Sequence, residues 1–186
     1  MRSVPLLLIT AVTFSSASAL ADDSLQLTAG TMQLGGTMTF DTVVAMPSQG
    51  DSATGFELGL APEFGYFIID NLELTAGAGL ELFFGDYYRA GSTLVGFNVG
   101  ARYFVDLQLP MLPYGGARLG MSFNIPDAGD TTKSLFLELP IGALIPLNSH
   151  VAIDVGLRVV YAKSLEEGGS ASLWIPIGYF GVQAFF

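Results

Sequence analysis

The sequence predicts an all-β protein, an eight-stranded antiparallel up-and-down transmembrane β-barrel. Apolar residues alternate with small or acidic ones over long stretches, which is the period of a strand with two different faces. Turn-rich segments divide these stretches into eight, an even number that brings both chain ends to one side of a barrel. Mean hydropathy is +0.52, yet beyond residue 21 the sequence contains no run of eighteen apolar residues that could form a membrane helix.

The clearest strands lie within residues 54–85. From Leu72 to Phe84, apolar residues occupy every second position, and the intervening positions up to Glu81 hold glycine, threonine and glutamate. The residues from Phe56 to Ile68 follow the same rule. Turn residues Asp70 and Asn71 separate the two runs and predict a tight hairpin.

The other strands follow from the same alternation. Strands are predicted at residues 31–44, 54–69, 72–84, 92–106, 114–125, 134–146, 151–163 and 171–186. Loops are predicted at 46–53, 86–91, 126–133 and 164–169, and turns at 70–71, 107–112 and 148–150. Pro140 and Pro146 weaken the sixth strand because proline cannot donate to a ladder. In the eighth strand the apolar residues move from odd-numbered to even-numbered positions near Gly178. This change of parity predicts a glycine bulge.

Residues 1–21 have the three parts of a secretory signal peptide. Arg2 supplies the positive charge, an apolar core follows, and Ala19-Leu20-Ala21 forms the cleavage site. We therefore expect a mature barrel domain of residues 22–186. It would carry six basic against seventeen acidic residues, a balance that argues against nucleic-acid binding. The absence of cysteine excludes a disulfide framework.

The same alternation would suit a soluble ligand-carrying barrel with its apolar face turned inward. The composition of the other face favours a membrane barrel instead, because it is rich in glycine and the mature chain has only two lysines, Lys133 and Lys163. Small residues suit the narrow interior of an eight-stranded barrel. Aromatic residues are expected in two belts, an outer one of Phe83, Phe84, Tyr87, Tyr88, Phe123, Phe136, Tyr161 and Trp174 and an inner one of Tyr66, Phe67, Tyr103, Phe104, Tyr114, Tyr179 and Phe180.

The chain resembles the small eight-stranded outer-membrane barrels, the OmpA-like transmembrane domain and OmpX group, over its mature length. The resemblance rests on the ending GYFGVQAFF, which looks like the signal that the barrel-assembly machinery recognises, and more weakly on GYFIIDNLEL. The signal residues are Phe180, Val182, Ala184 and Phe186, with Ala184 smaller than is usual. The resemblance implies a porin-like monomer in the outer membrane of a Gram-negative envelope, reached after secretion across the inner membrane. Its expected partners are outer-membrane lipid, lipopolysaccharide and the assembly machinery.

Charged residues on the glycine-rich face would meet inside the barrel. An enclosed charge must find a partner, because an unpaired one would cost several kcal/mol. We expect a network centred on Glu63 with Arg118 and Arg158. Arg102 and Asp154 are expected nearer the periplasm, and Glu81 and Glu138 nearer the outside. Such a network could plug the barrel or could form a gate whose rearrangement opens a pore.

The sequence predicts no catalytic, cofactor or metal site. Some eight-stranded barrels are lipid-modifying enzymes that use a histidine and a serine, but the single histidine, His150, falls in a turn beside Ser149 on the expected periplasmic side. Asp51, Asp86, Asp127 and Asp130 give only weak support for a divalent-cation site at the outer rim.

These features predict a non-enzymatic, structural barrel that contributes to envelope integrity, with possible surface contacts. The chain ends at its last strand, so we expect no peptidoglycan-binding domain of the kind that longer OmpA-like proteins carry. The alternative is a narrow pore, or a path for small hydrophobic molecules as in OmpW-like barrels. A gap in the wall near Pro62, Pro140 or Pro176 would favour that alternative.

Overall fold

The computed structural model describes residues 25, 27–45, 53–86, 91–166, 168–175 and 178–186. The described strands are β1 (Met32–Ala45), β2 (Ala53–Ile69), β3 (Leu72–Phe84), β4 (Ser92–Phe104), β5 (Leu112–Pro126), β6 (Thr132–Pro146), β7 (Val151–Ser164), β8 (Ala171–Trp174) and β9 (Tyr179–Phe185). Within these ranges no helix has the length and apolar character needed to cross a membrane.

The strands close into an antiparallel barrel. Each strand from β1 to β7 pairs with the next in sequence, and β9 closes the ring by pairing with both β7 and β1. The short β8 pairs with β7 in line with β9, so β8 and β9 together form the eighth strand of the wall. The predicted fold, an eight-stranded antiparallel up-and-down barrel, is therefore confirmed.

Most strand boundaries lie within two residues of those predicted. The hairpin turn at Asp70-Asn71 is present, and Asn71 has a positive φ of 63° that fits an asparagine turn. In the longer turn before β5, Gln108 also has a positive φ, 55°, and its amide donates to Asp106 Oδ1 at 2.9 Å. The signal peptide, the loops at 46–52 and 87–90, Tyr87, Tyr88, Asp51 and Pro176 lie outside the described residues.

The eighth strand carries one extra residue at its interruption. Trp174 is in register with Val160 of β7, whereas Tyr179 is in register with Gly156. An advance of five residues along the eighth strand therefore matches four residues along β7. Gly178 has a φ of +80°, which a glycine adopts without steric cost. This agrees with the glycine bulge expected from the parity change.

The apolar face of the barrel is its outer face. Large apolar side chains stand exposed around the wall, with Leu34 56%, Phe97 58% and Leu119 64% exposed. Most glycines of the strands, together with Glu63, Glu73, Arg102, Arg118, Glu138 and Asp154, take the opposite parity and face the interior. An exposed apolar surface that surrounds the barrel excludes the soluble alternative, which needs a solvated exterior.

The aromatic belts differ from the expectation because adjacent residues of a strand point to opposite faces. Tyr66, Tyr103 and Phe180 face outward, but their expected companions Phe67, Phe104, Tyr114 and Tyr179 face the interior. At the other end Phe83 and Phe136 take the inward parity, while Phe84, Phe123 and Tyr161 take the outward one. Outward-facing Phe40, Phe56 and Phe84 form a stack across three strands, with ring centroids 6.3 and 5.6 Å apart.

Candidate functional site in the barrel interior

A cluster of apolar side chains closes the interior at one end of the barrel. This end holds Leu25 and Phe186 and is named the terminal end, and the opposite end is named the loop end. This cluster is named the apolar floor, and every member is at most 7% exposed. Its rings lie close together, with centroids of Phe67 and Phe104 5.7 Å apart and those of Phe104 and Tyr114 5.2 Å apart. The members are Leu25, Leu27, Phe67, Phe104, Tyr114, Leu144, Ala152 and Phe185.

The first two members of the apolar floor come from the segment that precedes β1. The backbone holds this segment against the β2–β3 turn, because Asn71 N donates to Leu27 O at 2.8 Å and Gly30 N donates to Phe67 O at 2.8 Å. Ala29 N donates to Asp70 Oδ1 at 2.9 Å. The sequence predicted no strand before residue 31. The inward parity of several large apolar residues at one end was the available signal that something must cover them.

Above the apolar floor, Arg102 is the centre of a buried charge cluster. Its Nη2 lies 2.7 Å from Glu73 Oε2 and 3.0 Å from Glu63 Oε1, and its Nη1 lies 3.3 Å from Asp154 Oδ2. The side chain is fully buried and stacks over the ring of Tyr114 at 5.3 Å. Three carboxylates and an aromatic face therefore surround one guanidinium.

A second arginine continues this cluster toward the loop end. Arg118 Nη2 pairs with Glu63 Oε2, and its Nη1 donates to Glu138 Oε1 at 2.8 Å. Arg158 Nη1 lies 3.8 Å from Glu138 Oε2. Opposite charges thus alternate along one row, named the charge chain: Asp154, Arg102, Glu63, Arg118, Glu138 and Arg158, with Glu73 as a branch at Arg102.

Hydrogen bonds tie the charge chain to the last strand. Asp154 accepts from Tyr114 OH at 2.6 Å and from Gln183 Nε2 at 3.0 Å. Gln183 in turn accepts from Gln33 Nε2, and Tyr114 OH contacts Tyr179 OH. These bonds connect strands β1, β5, β7 and β9 through the interior, so the network braces the seam where the barrel closes.

The structure groups the predicted interior residues differently from the expectation. Glu63 and Arg118 do meet, but Arg158 lies beside Glu138 because the two occupy neighbouring strands β7 and β6, whereas Glu63 lies on β2. Arg102, expected nearer the periplasm than the centre of the network, is the hub that contacts Glu63, Glu73 and Asp154. Glu73 is the partner that sequence reasoning missed, although its inward parity was visible. Glu81 lies further toward the loop end, in register with Gly59 and Leu94.

No family model and no curated protein matches this chain. Several solved structures do match it. The N-terminal β-barrel domain of Pseudomonas aeruginosa OprF aligns with a TM-score of 0.54 and 18% identity, covering 85% of this chain and 98% of that one. Neisserial surface protein A, NspA, aligns with a TM-score of 0.55 and 20% identity, covering 83% of this chain and 94% of that one. The fold is that of the small outer-membrane β-barrels. The resemblance expected from the sequence is confirmed at the level of fold.

Within this outer-membrane barrel fold, His150 lies on an exposed turn at the terminal end. Its ring Nδ1 is 2.8 Å from Ser149 Oγ, and its amide donates to Asn148 Oδ1 at 2.8 Å. Both side chains stand on the turn rather than in the interior, so the contact belongs to a hydrogen-bonded turn. Among the described residues no group of three or more histidine, aspartate or glutamate side chains is placed to hold a metal ion.

The barrel wall is locally interrupted at two prolines. The pairing of β2 with β3 passes from Leu60–Leu80 directly to Glu63–Gly77, so Pro62 has no register partner on β3. The pairing of β5 with β6 is interrupted in the same way at Pro140. A cavity of about 40 Å³ lies at the first interruption, and its lining includes Ala61, Pro62 and Ala78 of the wall as well as Glu63 and Arg118 of the charge chain.

Proposed function

We propose that the chain is a non-enzymatic barrel of the outer membrane that contributes to envelope integrity and has a closed interior. The observation that carries this proposal is the double closure of the interior, by the apolar floor at the terminal end and by the charge chain above it. With the terminal end toward the periplasm, the loops face outward. The proposal includes secretion across the inner membrane, a monomeric state, and contacts with outer-membrane lipid and lipopolysaccharide.

The energetics of the charge chain favour a plug over a gate. Removing one partner of a buried ion pair leaves an uncompensated charge and costs about 3–5 kcal/mol. Opening a path would separate several such pairs at once and would also expose the apolar floor to water. An eight-stranded interior is just wide enough for its side chains, so the displaced groups would find little room.

Conductance in planar bilayers tests the closed interior. Refolded residues 22–186 should be silent, because two independent layers block the path. A variant with Arg118→Met and Glu138→Leu removes one complete ion pair of the charge chain and should also stay silent, since the apolar floor remains. Adding Leu25→Gly and Leu27→Gly to that variant should produce current steps. Steps from the unmodified barrel would overturn the proposal.

A lateral path for small hydrophobic molecules is the second candidate. The wall interruption at Pro62 favours it, because the cavity there is lined both by wall residues and by Glu63 and Arg118 of the interior. The seam gives further support. In the described residues β1 pairs with the last strand from Met32 to Met38, and no pairing joins the following part of β1 to β8.

Transfer of a fluorescent fatty acid across barrel-containing vesicles tests this second candidate. Pro62→Val supplies an amide hydrogen where the ladder lacks one and should slow the transfer. Pro140→Val is the matched control, because it changes a second wall interruption that does not line the cavity. Equal rates for barrel-containing and barrel-free vesicles would remove the candidate.

A further inference from the structure

Basic side chains are scarce in this chain, which makes their placement informative. Beyond residue 21 there are six, and the structure describes five of them. Arg102, Arg118 and Arg158 are committed to the interior charge chain. The two lysines, Lys133 and Lys163, remain, and both stand exposed at the loop end of the wall.

The two lysines are neighbours on the outer face. Lys163 of β7 is in register with Leu135 of β6, and Leu165 N donates to Lys133 O at 2.8 Å two residues further along the same pair of strands. Lys133 and Lys163 therefore form a diagonal cross-strand pair, a separation of about 7–8 Å at which long side chains reach a common point. Within the described part of the chain neither lysine forms an ion pair. Two like charges without a partner there are therefore carried by neighbouring residues of one surface.

Exposed apolar residues of the wall lie next to this pair on the side toward the terminal end. Leu135 is 48% exposed, Tyr161 46% and Leu173 67%. Tyr161 and Leu173 are in register with each other, and Lys163 is in register with Ala171 two residues beyond them. The lysines thus stand at the border between an apolar surface and the loop end, where their stems can lie along the wall and their ammonium groups can extend outward.

We propose that Lys133 and Lys163 together bind the phosphate of an outer-leaflet lipid whose acyl chains lie on Leu135, Tyr161 and Leu173. This rests on the proposed outer-membrane location. Two adjacent ammonium groups match one phosphate, and an anion there removes their mutual repulsion. A membrane lipid fits better than free phosphate, because the chain carries a net charge of −10 that repels small anions, whereas acyl contacts hold a lipid at the wall.

Native mass spectrometry of the refolded barrel tests the proposal with three probes. These are bis-phosphorylated lipid A, the dephosphorylated lipid with the same acyl chains, and inorganic phosphate. The unmodified barrel should retain the phosphorylated lipid about tenfold more tightly than the dephosphorylated one. Lys133→Gln with Lys163→Gln should abolish this preference, and Lys133→Arg with Lys163→Arg should keep it because the charge is preserved. Heat-modifiable gel mobility checks that each variant is folded.

Several outcomes would overturn the proposal. Equal retention of the two lipids by the unmodified barrel would do so without any variant, and so would an unchanged preference in the double glutamine variant. Displacement of the lipid by an equal concentration of inorganic phosphate would show an anion site without lipid specificity. Current steps in the conductance experiment would overturn the closed interior while leaving this site intact, so the two failures are distinguishable.

Discussion

Arg102 Nη2 lies 2.7 Å from Glu73 Oε2, and both side chains are fully buried in the interior of the barrel. Arg102 Nε donates to the same oxygen at 2.8 Å, so two guanidinium nitrogens converge on one carboxylate atom. Glu63 and Asp154 occupy the remaining sides of the guanidinium. The stability of the interior therefore depends on this one arginine more than on the two others.

Replacing that arginine should be strongly destabilising. Arg102→Met leaves three carboxylates facing one another in a water-poor interior, and we expect the free energy of unfolding to fall by about 3–5 kcal/mol. Urea unfolding from lipid vesicles, followed by intrinsic tryptophan fluorescence, measures the change. Arg158→Met is the matched control. Its nearest carboxylate oxygen, on Glu138, is 3.8 Å away, and Glu138 keeps Arg118 at 2.8 Å, so the loss of Arg158 should cost clearly less than the loss of Arg102. Equal losses for the two variants would contradict the central position of Arg102.

Much of this architecture could be predicted from the sequence because a strand encodes its two faces by a period of two. The alternation from Leu72 to Phe84 fixes the inward side of β3, and this parity alone places Glu73 in the interior. Parity does not say which interior charges meet, however. That depends on the register of all the strands together, which places Arg158 beside Glu138 and leaves Arg102 between Glu63, Glu73 and Asp154.

The residues that complete the apolar floor were not predicted, for a related reason. Leu25 and Leu27 precede the first strand and have no periodic pattern that assigns them a face. Their burial is decided by the inward rings of Phe67 and Phe104, which leave an apolar opening that water would otherwise fill. The position of those two rings along the barrel axis had suggested that they belong to a lipid-facing aromatic belt. Their side chains face the interior instead, because alternate residues of a strand point to opposite faces.

Two interior glycines should respond oppositely to a methyl group. A Cβ on Gly65 would overlap the side-chain oxygen of Glu73 and lie 2.7 Å from Gln33 Oε1, two oxygens that have no hydrogen-bond partner among the described residues. We expect Gly65→Ala to cost about 1–3 kcal/mol through overpacking. At Gly79 no described heavy atom lies within 4 Å of the added carbon. Gly79→Ala should be neutral or slightly stabilising, since alanine loses less backbone entropy on folding. Urea unfolding from lipid vesicles compares the free energies of unfolding of the two variants. If Gly65→Ala were more stable than the unmodified barrel, the space around Glu73 would not be crowded.

The β2–β3 turn offers a test of backbone conformation. Asn71 has a φ of 63°, in the left-handed region that asparagine tolerates and β-branched residues avoid. Asn71→Val should therefore lower the free energy of unfolding by about 1–2 kcal/mol. Asn71→Gly is the control and should remain within about 0.5 kcal/mol of the unmodified barrel, since glycine enters this region freely. If valine and glycine gave the same stability, the positive φ would not be what selects asparagine here.

The C-terminal residue should matter for assembly in cells more than for the folded barrel. Phe186 exchanges two backbone hydrogen bonds with Met32, at 2.8 and 3.0 Å, and these do not depend on its side chain. The ring itself is 60% exposed on the outer face, in line with exposed Phe180 and Val182. A side chain that contributes little to packing is free to serve as a recognition element, which is the role that the resemblance of this ending to an assembly signal implies.

We expect Phe186→Ala to refold from urea into detergent as well as the unmodified chain but to reach the outer-membrane fraction of cells in smaller amounts. Ala184→Leu should act in the opposite direction, because it supplies the larger residue that the assembly signal usually has at that position. Quantitative fractionation beside refolding yield separates the two effects, and parallel losses in both measurements would mean that Phe186 acts through stability alone.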